Sequence, residues 1–522
     1  MKNKCIIFLF CHSILLLAAC TGGFENDNEI KGGFSDDKKE IDFQNLTAPF
    51  EPIQSGIYFN IGSVGLNWVW QMTQSLNHDM FSGYFMDPIP KFMKSNACYN
   101  LNSGWTNAVW QCTYGYVYTE VQKAEKNFYG NDNLKGYLGI TEILKVELMH
   151  RIADTYGPLV YHQLGETPRV YGQQEAYTRF FADLDEGGDN NKFKEYDMLT
   201  NGKTLKEWLK FANSLRLRLA MRISNVDATL AKDQATKALN DNQGVLEGAR
   251  ETIAVMGKNY INPLCAVAGW GEVYMNASME SIVNGYEDPR GKKWYNTALL
   301  EGYQKQLLGI PIGLPMKDGD ANIYSSCSSL NTSTIGEKTG AVLMSAAEVW
   351  LLRAEAALRG YTKENPRTCY EYGVSTSFTQ WDCAGASEYL ESDKTPADYK
   401  DVVSGGKVGK DMKALITISP KWEEDADIET KLEKIITQKW LACWPESYEA
   451  WAEQRRTGYP KLFKVQNNTG KVIDTDIMIR RLPFSTDAAT ADPAQYATLT
   501  EKLGGADNGA TRLWWDTGKN SF

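Results

Sequence analysis

The stretch 204–224, TLKEWLKFANSLRLRLAMRIS, most constrains what this chain can fold into. Its apolar residues recur at spacings of three and four, which places them on one face of an α-helix. Phe211, Leu217 and Met221 fall outside that face, so we expect the helix to be apolar on most sides and buried among other helices. Arg216 lies within the apolar face. Because a buried guanidinium is tolerated only when it is paired, Arg216 should contact a carboxylate from another element.

Helical patterns flank this stretch on both sides. The segment that begins at Ser345 has a capping-box pattern, in which the Ser345 hydroxyl and the Glu348 carboxylate each accept a hydrogen bond from a backbone N–H. Residues 68–85 are aromatic and partly helical. Apolar spacing and terminal Gly or Pro residues predict further helices at 105–119, 134–156, 228–241, 345–360, 428–443 and 446–456.

Antiparallel helix pairs with small and aromatic residues at their contacts are typical of tetratricopeptide-like proteins, although no strict 34-residue consensus repeats here. We therefore predict a mainly α fold, a tetratricopeptide-like helix-pair scaffold that forms one domain over residues 46–522. Residues 362–420 should be loop-rich, and apolar periodicity fades over residues 250–340, which we expect to be a long irregular region with a few short elements. Loops of such length inside a compact protein are usually functional.

The N-terminus has the features of a targeting segment. Lys2 and Lys4 precede an apolar run at 6–17 that is too short to span a bilayer. The run ends in Leu-Ala-Ala-Cys20, which resembles the lipobox of bacterial lipoproteins; the alternative is a secretory signal with a chance cysteine. The resemblance implies a signal peptide at 1–19 and acyl chains on Cys20 that anchor the protein to a membrane. Residues 20–45 are acidic and Gly-containing, which predicts a lipidated flexible tether.

Charge and cysteine content exclude several classes of protein. The chain carries a net charge of −10, which argues against nucleic acid as a partner because nucleic acids bind basic surfaces. We predict no metal and no cofactor. Seven cysteines remain free once the signal peptide is cleaved and Cys20 is acylated, too few for a disulfide framework. Cys369 and Cys383 could pair across a loop in an oxidising compartment, and the sequence leaves this open.

Catalytic motifs are absent from the sequence, which contains no HExxH, no GxSxG and no Walker loop. Two groups of acids could supply the paired carboxylates of a glycoside hydrolase, Asp183 with Asp185 and the run 423–425. The run that begins at Asp183 also starts like a calcium loop, but it has Lys194 where a bidentate glutamate is needed. We expect no catalytic residue, and we interpret His78, His150 and His162 as structural or exposed residues.

Aromatic residues are abundant, with 15 Trp, 27 Tyr and 19 Phe, and several lie in the irregular region 250–340. A sugar packs its C–H face on an exposed ring, while its hydroxyls need paired donors and acceptors. Asn276, Glu280, Asp288 and Asn322 provide such polar neighbours. Each ring has core packing as its alternative, most of all Trp294 and Tyr295. The candidate ligand-binding residues are Trp270, Tyr274, Trp294, Tyr295, Tyr324, Phe85 and Tyr99.

Six stretches in chain order resemble the SusD/RagB family, and the resemblance covers the chain from about residue 60 to the C-terminus. They are IADTYGPLVY at 152–161, WLKFANSLRLRLAMR at 208–222, GYEDPR at 285–290, AAEVWLLRAEAALRG at 346–360, QKW at 438–440 and EAWAEQRRTGYP at 449–460.

This resemblance implies a surface lipoprotein with four tetratricopeptide-like helix pairs and a loop-rich binding face, which lies as a lid over a TonB-dependent SusC-like transporter of the outer membrane. It also implies a protein without catalysis that captures oligosaccharides or, less often, peptides. We expect oligosaccharide capture at the cell exterior. The alternatives are a peptide-capturing lipoprotein of the same family and a surface glycoside hydrolase.

Overall fold

The structure is a computed structural model that describes residues 46–58, 67–185, 205–256, 260–519 and 521–522. Contacts divide the chain into two units, Met1–Ala48 and Pro49–Phe522. The first is described only at residues 46–48, so the predicted signal peptide, tether and Cys20 anchor lie outside the described residues. The second unit is mainly helical, as the periodicity predicted.

The described part of this unit contains twenty α-helices. Helix α2 is connected to α3 by the π-helical segment Gln71–His78, and α5 is connected to α6 by the π-helical segment Thr113–Val117. The first ten helices are α1 Phe50–Ile57, α2 Asn67–Trp70, α3 Asp79–Phe81, α4 Pro90–Met93, α5 Ser103–Cys112, α6 Tyr118–Phe128, α7 Lys135–Tyr156, α8 Gln173–Asp183, α9 Leu205–Arg222 and α10 Ala228–Asn240. The others are α11 Pro263–Ala268, α12 Ala277–Gly285, α13 Arg290–Trp294, α14 Ala346–Leu358, α15 Pro366–Gln380, α16 Ala386–Leu390, α17 Ile428–Cys443, α18 Ser447–Thr457, α19 Thr486–Ala491 and α20 Pro493–Leu503.

Six short strands form three separate antiparallel pairs, β1 with β5, β2 with β3, and β4 with β6. None of the strands is longer than four residues. Two of the pairs, β1 with β5 and β4 with β6, connect segments far apart in the chain, whereas β2 and β3 form a local hairpin. The strands are β1 Phe85–Met86, β2 Leu159–Tyr161, β3 Arg169–Tyr171, β4 Ile253–Val255, β5 Tyr274–Met275 and β6 Ala341–Met344.

Four helix pairs form the scaffold, namely α6 with α7, α9 with α10, α14 with α15, and α17 with α18. The second helix of the third pair corrects our prediction, because α15 occupies part of the segment 362–420 that we expected to be loop-rich. Its start signals are present in the sequence. Asn365 caps the helix by accepting a hydrogen bond from Thr368 N at 3.0 Å, and Pro366 occupies the first turn, where its missing N–H costs nothing.

Helix α9 is buried, as its apolar pattern predicted, and its arginines are paired. Arg216 Nη2 donates to Asp185 Oδ1 at 2.6 Å, which confirms the expected carboxylate partner from another segment. Arg218 and Arg222 are buried more completely, although we did not single them out. The apolar pattern therefore predicted the buried helix, but it did not predict that Arg218 and Arg222 are buried as well as Arg216.

A network of buried ion pairs joins α9 to the other scaffold helices. Arg218 Nε and Nη2 each donate to the Glu348 carboxylate at 2.7 Å. Arg222 bonds Glu449 and, at 3.3 Å, Asp154. Because every charge has an opposite partner, the desolvation cost of burying them is offset by mutual attraction. The network also contains Glu147, Arg151, Glu355, Lys439, Glu453 and Arg456.

The first turn of α14 follows our prediction only in part. The Ser345 hydroxyl accepts from Glu348 N at 3.1 Å, as a cap should. The Glu348 carboxylate bonds Arg218 instead of returning to the Ser345 backbone, so the reciprocal half of the predicted capping box is wrong. A buried guanidinium is the stronger partner for a carboxylate than a backbone N–H.

Two further expectations concern a disulfide bond and a membrane-spanning helix. Cys369 and Cys383 are both free thiols, so the possible disulfide between them does not form. Among the described residues, no helix combines the length and apolarity that crossing a membrane requires.

Candidate functional site

Strands β1 and β5 join two long loop regions, the region that follows α2 and the irregular region 250–340. Phe85 lies opposite Met275, and Met86 lies opposite Tyr274. Helix α2 also packs against α11, which ends two residues before Trp270. Backbone hydrogen bonds therefore hold the region that follows α2 against the irregular region 250–340, as a shared binding face requires.

Two tryptophans are exposed where these segments meet. Trp68 and Trp270 each have a relative exposure of 46%, which is high for so large an apolar side chain. Between their segments, Gln71 Nε2 donates a hydrogen bond to Glu272 Oε2. Tyr274 lies half-buried on the same segment as Trp270. We call this surface the tryptophan face and define it by Trp68, Gln71, Trp270, Glu272 and Tyr274.

Two carboxyl groups beside the tryptophan face hold their protons more tightly than usual. Burial raises the pKa of Asp87 to about 8, the negative charge of Glu272 adds to the rise, and a hydrogen bond from Ile89 N opposes it. Burial also raises the pKa of Glu272, against the hydrogen bond from Gln71. A protonated carboxyl both donates and accepts hydrogen bonds, as a sugar hydroxyl does. Asp87 is buried, so its protonated carboxyl reduces the negative charge beside the tryptophan face rather than contacting a ligand.

The structure places the seven predicted ligand-binding residues in two groups. Trp270 is exposed and Tyr274 is half-buried, so both rings can offer a face to a ligand. The other five rings are buried, and the expectation that they form an open platform is not supported by their packing. These five are Phe85, Tyr99, Trp294, Tyr295 and Tyr324.

Three of the buried rings pack around Trp444, which lies between α17 and α18. Trp294 stacks on Trp444 with ring centroids 4.9 Å apart, and Phe85 and Tyr295 lie 5.8 Å from the same ring. Trp444 Nε1 also donates to the Tyr295 hydroxyl at 3.0 Å. These rings therefore attach the loop regions to the scaffold, in keeping with the structural alternative raised for Trp294 and Tyr295.

The polar neighbours of the predicted site are mostly used within the protein. Asn276 caps α12 by accepting from Ser278 N at 2.8 Å, and Asp288 pairs with Arg290 at 2.6 Å. Glu280 accepts from Gly309 N. Asn322 alone of the four is exposed. Asn276, Glu280 and Asp288 are therefore engaged in holding the fold.

Sequence reasoning did not select Trp68, Gln71 or Glu272. Trp68 and Trp70 both lie in the first turn of the segment that begins at α2, yet Trp70 is fully buried while Trp68 is exposed. The sequence offers no signal for this difference, because the orientation of a one-turn helix depends on its tertiary contacts. A hydrogen bond across 201 residues, such as that from Gln71 to Glu272, has no local signature either.

Of the carboxylates considered for hydrolysis, Asp183 and Asp185 are engaged in ion pairs, and the acids at 423–425 are not buried in a site. Asp183 is buried and accepts from the Tyr161 hydroxyl and from Arg179 Nε, each at 2.5 Å. Asp185 pairs with Arg216 and with Lys237. The acids at 423–425 are exposed. Asp183 and Asp185 are therefore not free to act as a pair of catalytic carboxyl groups.

Two further expectations concern a possible calcium loop that begins at Asp183 and the three histidines outside the signal peptide. The remainder of the possible calcium loop, residues 186–194, lies outside the described residues. Within the described ranges, no cluster of His, Cys, Asp and Glu could hold a metal ion. His78, His150 and His162 are buried and hydrogen-bonded to Thr155, Glu147 and Glu125, respectively.

Four antiparallel helix pairs with long insertions between them define the class of tetratricopeptide-like scaffold proteins. Within that class, residues 26–516 match the family described as "Susd and RagB outer membrane lipoprotein". The chain belongs to the SusD/RagB family of outer-membrane lipoproteins.

Solved structures agree with the family match. A SusD homologue from Bacteroides vulgatus ATCC 8482 is 54% identical, with a TM-score of 0.89 over 92% of this chain and 100% of that chain. A chitin-binding SusD homologue from Flavobacterium johnsoniae is 33% identical, with a TM-score of 0.85 over the same shares of the two chains. A SusD homologue from Bacteroides uniformis ATCC 8492 is 31% identical, with a TM-score of 0.80 over 90% of this chain and 99% of that chain. No protein of curated function matches the chain.

Proposed function

We propose that this protein captures oligosaccharides on the tryptophan face and does not alter them. The observation that carries the proposal is the pair of exposed tryptophans, Trp68 and Trp270, beside the Gln71–Glu272 hydrogen bond. The rings supply apolar faces for the C–H side of sugars, and the polar pair supplies donors and acceptors for hydroxyls. Shallow contacts of this kind bind best when a rigid frame holds them in place.

Oligosaccharides of the chitin type are the ligands to test first. The chitin-binding relative shares one third of its residues with this chain and is covered over its full length.

Delivery to a TonB-dependent, SusC-like transporter completes the proposed function. The protein would lie at the cell exterior, anchored through Cys20, as a lid over that transporter. Membership of an outer-membrane lipoprotein family supports this placement. Co-isolation tests it: a tagged copy of the chain, extracted from outer membranes with mild detergent, should bring down a TonB-dependent transporter in equimolar amount.

Calorimetric titration of the purified chain with chitopentaose tests capture. We expect saturable binding, and we expect Trp270→Ala and Trp68→Ala each to weaken it about tenfold or more, because each removes one stacking surface. Tyr116→Ala is the matched control. Its ring is also exposed but lies outside the tryptophan face, so affinity should not change.

The same titration separates the alternatives. Binding that is equally strong in all three variants would remove the tryptophan face from the proposal. Binding of peptide mixtures without binding of any glycan would favour the peptide-capturing alternative. Release of reducing ends from the oligosaccharide during incubation would favour the hydrolase and contradict capture without turnover.

A further inference from the structure

A second cavity, of about 460 Å³, lies at the end of α18 and shares no residue with the tryptophan face. Its walls come from the last turn of α18, from the segments at 458–464 and 476–480, and from residues 512–519 near the C-terminus. The chain as a whole is acidic, yet basic side chains dominate this cavity. They include Arg455, Lys461, Lys464, Arg480, Arg512 and Lys519.

Part of this positive charge is balanced within the protein. Lys461 pairs with Glu433 at 3.2 Å, and Lys464 pairs with Asp476 at 2.6 Å. These two lysines therefore contribute little net charge to the cavity.

The remaining basic groups exceed their acidic partners. Arg480 and Arg512 share one carboxylate, that of Asp516, with both contacts at 2.6 Å. Lys519 is exposed and forms no ion pair among the described residues. One carboxylate thus balances only one of the two guanidinium charges, and the ammonium group of Lys519 is unbalanced.

Arg455 adds a buried positive charge to the same wall. Its guanidinium donates to the carbonyl oxygens of Trp451 and Arg480 and lies 3.6 Å from the Trp451 ring centroid, but within the described part of the chain it has no carboxylate partner. Burial is the main cause that lowers the pKa of Arg455, and Arg480 contributes to the lowering. The negative charges of Asp154 and Asp516 oppose this lowering, but neither forms an ion pair with Arg455 among the described residues, so a bound anion would add to the balance of a buried charge.

The cavity also has an apolar side that suits an organic ligand. Leu415 and Ile477 line it and are both exposed. Arg512 packs across Gly518, where a Cβ atom would lie 2.6 Å from the guanidinium carbon, so a glycine is needed to leave Arg512 in place. A volume of this size is within the range of small-molecule sites.

We propose that this cavity binds the anionic group of an acidic sugar, either the carboxylate of a uronic acid or a sulfate ester. Both groups accept the charge-assisted hydrogen bonds that Arg512 and Lys519 can donate. The apolar wall at Leu415 and Ile477 contacts the sugar ring. The protein then has two separate ligand surfaces, one for neutral glycan chains and one for a charged sugar.

Titrations of the purified chain with glucuronic acid, glucose 6-sulfate and glucose, monitored by NMR, test the proposal. We expect saturable binding of one or both anionic sugars at low salt, weakened at high salt, and no binding of glucose. The double variant Arg512→Gln/Lys519→Gln should weaken binding about tenfold, because it removes two charged donors. The preference between the two anions identifies which group the cavity recognises.

A matched control removes the same number of charges elsewhere. Neither Arg367 nor Lys407 lines the cavity. Lys407 is exposed as Lys519 is, and Arg367 is partly buried and has an i,i+4 carboxylate partner as Arg512 does. The variant Arg367→Gln/Lys407→Gln should bind the anionic sugars as the native chain does. The proposal is overturned by equal weakening in both double variants or by the absence of saturable binding at low salt. Neither result would bear on chitopentaose binding at the tryptophan face.

Discussion

At the scale of single residues, the interior of the scaffold is unusual for the charges that it encloses. Arg218 and Glu348 form a two-point contact between α9 and α14. Such a pair contributes little net stability compared with apolar residues of similar volume, but removal of one partner leaves the other charge buried and unpaired. We predicted a carboxylate partner for Arg216 from its burial alone. The partner of Arg218 could not be predicted without knowing which helices surround α9.

Replacement of Arg218 tests this dependence. Arg218→Met should lower the free energy of unfolding by about 3–5 kcal/mol, because Glu348 then lacks its guanidinium partner. Arg169→Met removes an exposed ion pair with Glu175 and should cost less than about 1 kcal/mol. Urea unfolding followed by tryptophan fluorescence measures both. Equal midpoints for the two variants would contradict the importance of the buried pair.

Glu280 predicts a pH dependence of stability. Burial raises its pKa from 4.5 to about 8, Asp401 adds to the rise, and the hydrogen bond from Gly309 N opposes it. The folded chain therefore retains a proton that the unfolded chain releases above about pH 4.5. The contribution of Glu280 to the free energy of unfolding must then fall between about pH 4.5 and 8 and level off above that.

The variant Glu280→Gln isolates this contribution, because its amide can still accept from Gly309 but does not titrate. The fall in melting temperature from pH 5 to pH 8 should be smaller in Glu280→Gln than in the native chain. Glu301→Gln, at an exposed position, should follow the native curve. Parallel curves for all three proteins would show that Glu280 does not titrate as described.

At the scale of secondary-structure elements, the long periodic helices were predictable and the polar ones were not. The predicted helix at 428–443 coincides with α17, because its apolar spacing is regular and a Trp-Pro sequence follows it. Helix α15 was missed because its sequence is rich in Ser, Thr and Tyr, which mask the apolar face. Its cap residues could have indicated it, since Asn365 before Pro366 is a start signal that does not depend on hydrophobicity.

The contact between α14 and α15 predicts the effect of a larger residue at Gly373. A Cβ atom at this position would lie 2.6 Å from Leu351 Cγ, so the two helices approach too closely for a side chain. Gly373→Val should lower the free energy of unfolding by about 1–3 kcal/mol through overpacking. Gly115→Val is the control, since among the described atoms none lies within 4 Å of its Cβ position, and it should be close to neutral. A neutral Gly373→Val in urea unfolding would mean that the pair tolerates separation.

At the scale of the whole molecule, the sequence predicted the frame better than the binding surface. The six family-like stretches include residues of the scaffold network such as Asp154, Arg218 and Glu449, which explains why they specify the fold. The binding surface depends on which rings are left uncovered once the loops pack. Trp294 and Trp270 both lie in the irregular region, yet one stacks on Trp444 and the other is exposed. Composition alone does not distinguish them.

The predicted lipid anchor is also a property of the whole molecule. Cys20→Ala removes the thiol that the acyl chains require, so the protein should move from the membrane fraction to the soluble fraction. Immunoblots of separated membranes measure this. Cys383→Ala, which alters a cysteine outside the predicted lipobox, is the control and should remain in the membrane fraction. A Cys20→Ala protein that still sediments with the outer membrane would contradict lipid anchoring through Cys20.

The short pairing of β1 with β5 has a consequence for how such a protein can acquire new specificities. The register between these strands is held by main-chain groups, whereas Trp68, Gln71 and Trp270 project from positions outside it. Exchange of these side chains therefore leaves the backbone hydrogen bonds between β1 and β5 in place. A library randomised at these three positions should yield variants that retain the melting temperature of the native chain but bind different glycans. A change of ligand would then require only local substitutions.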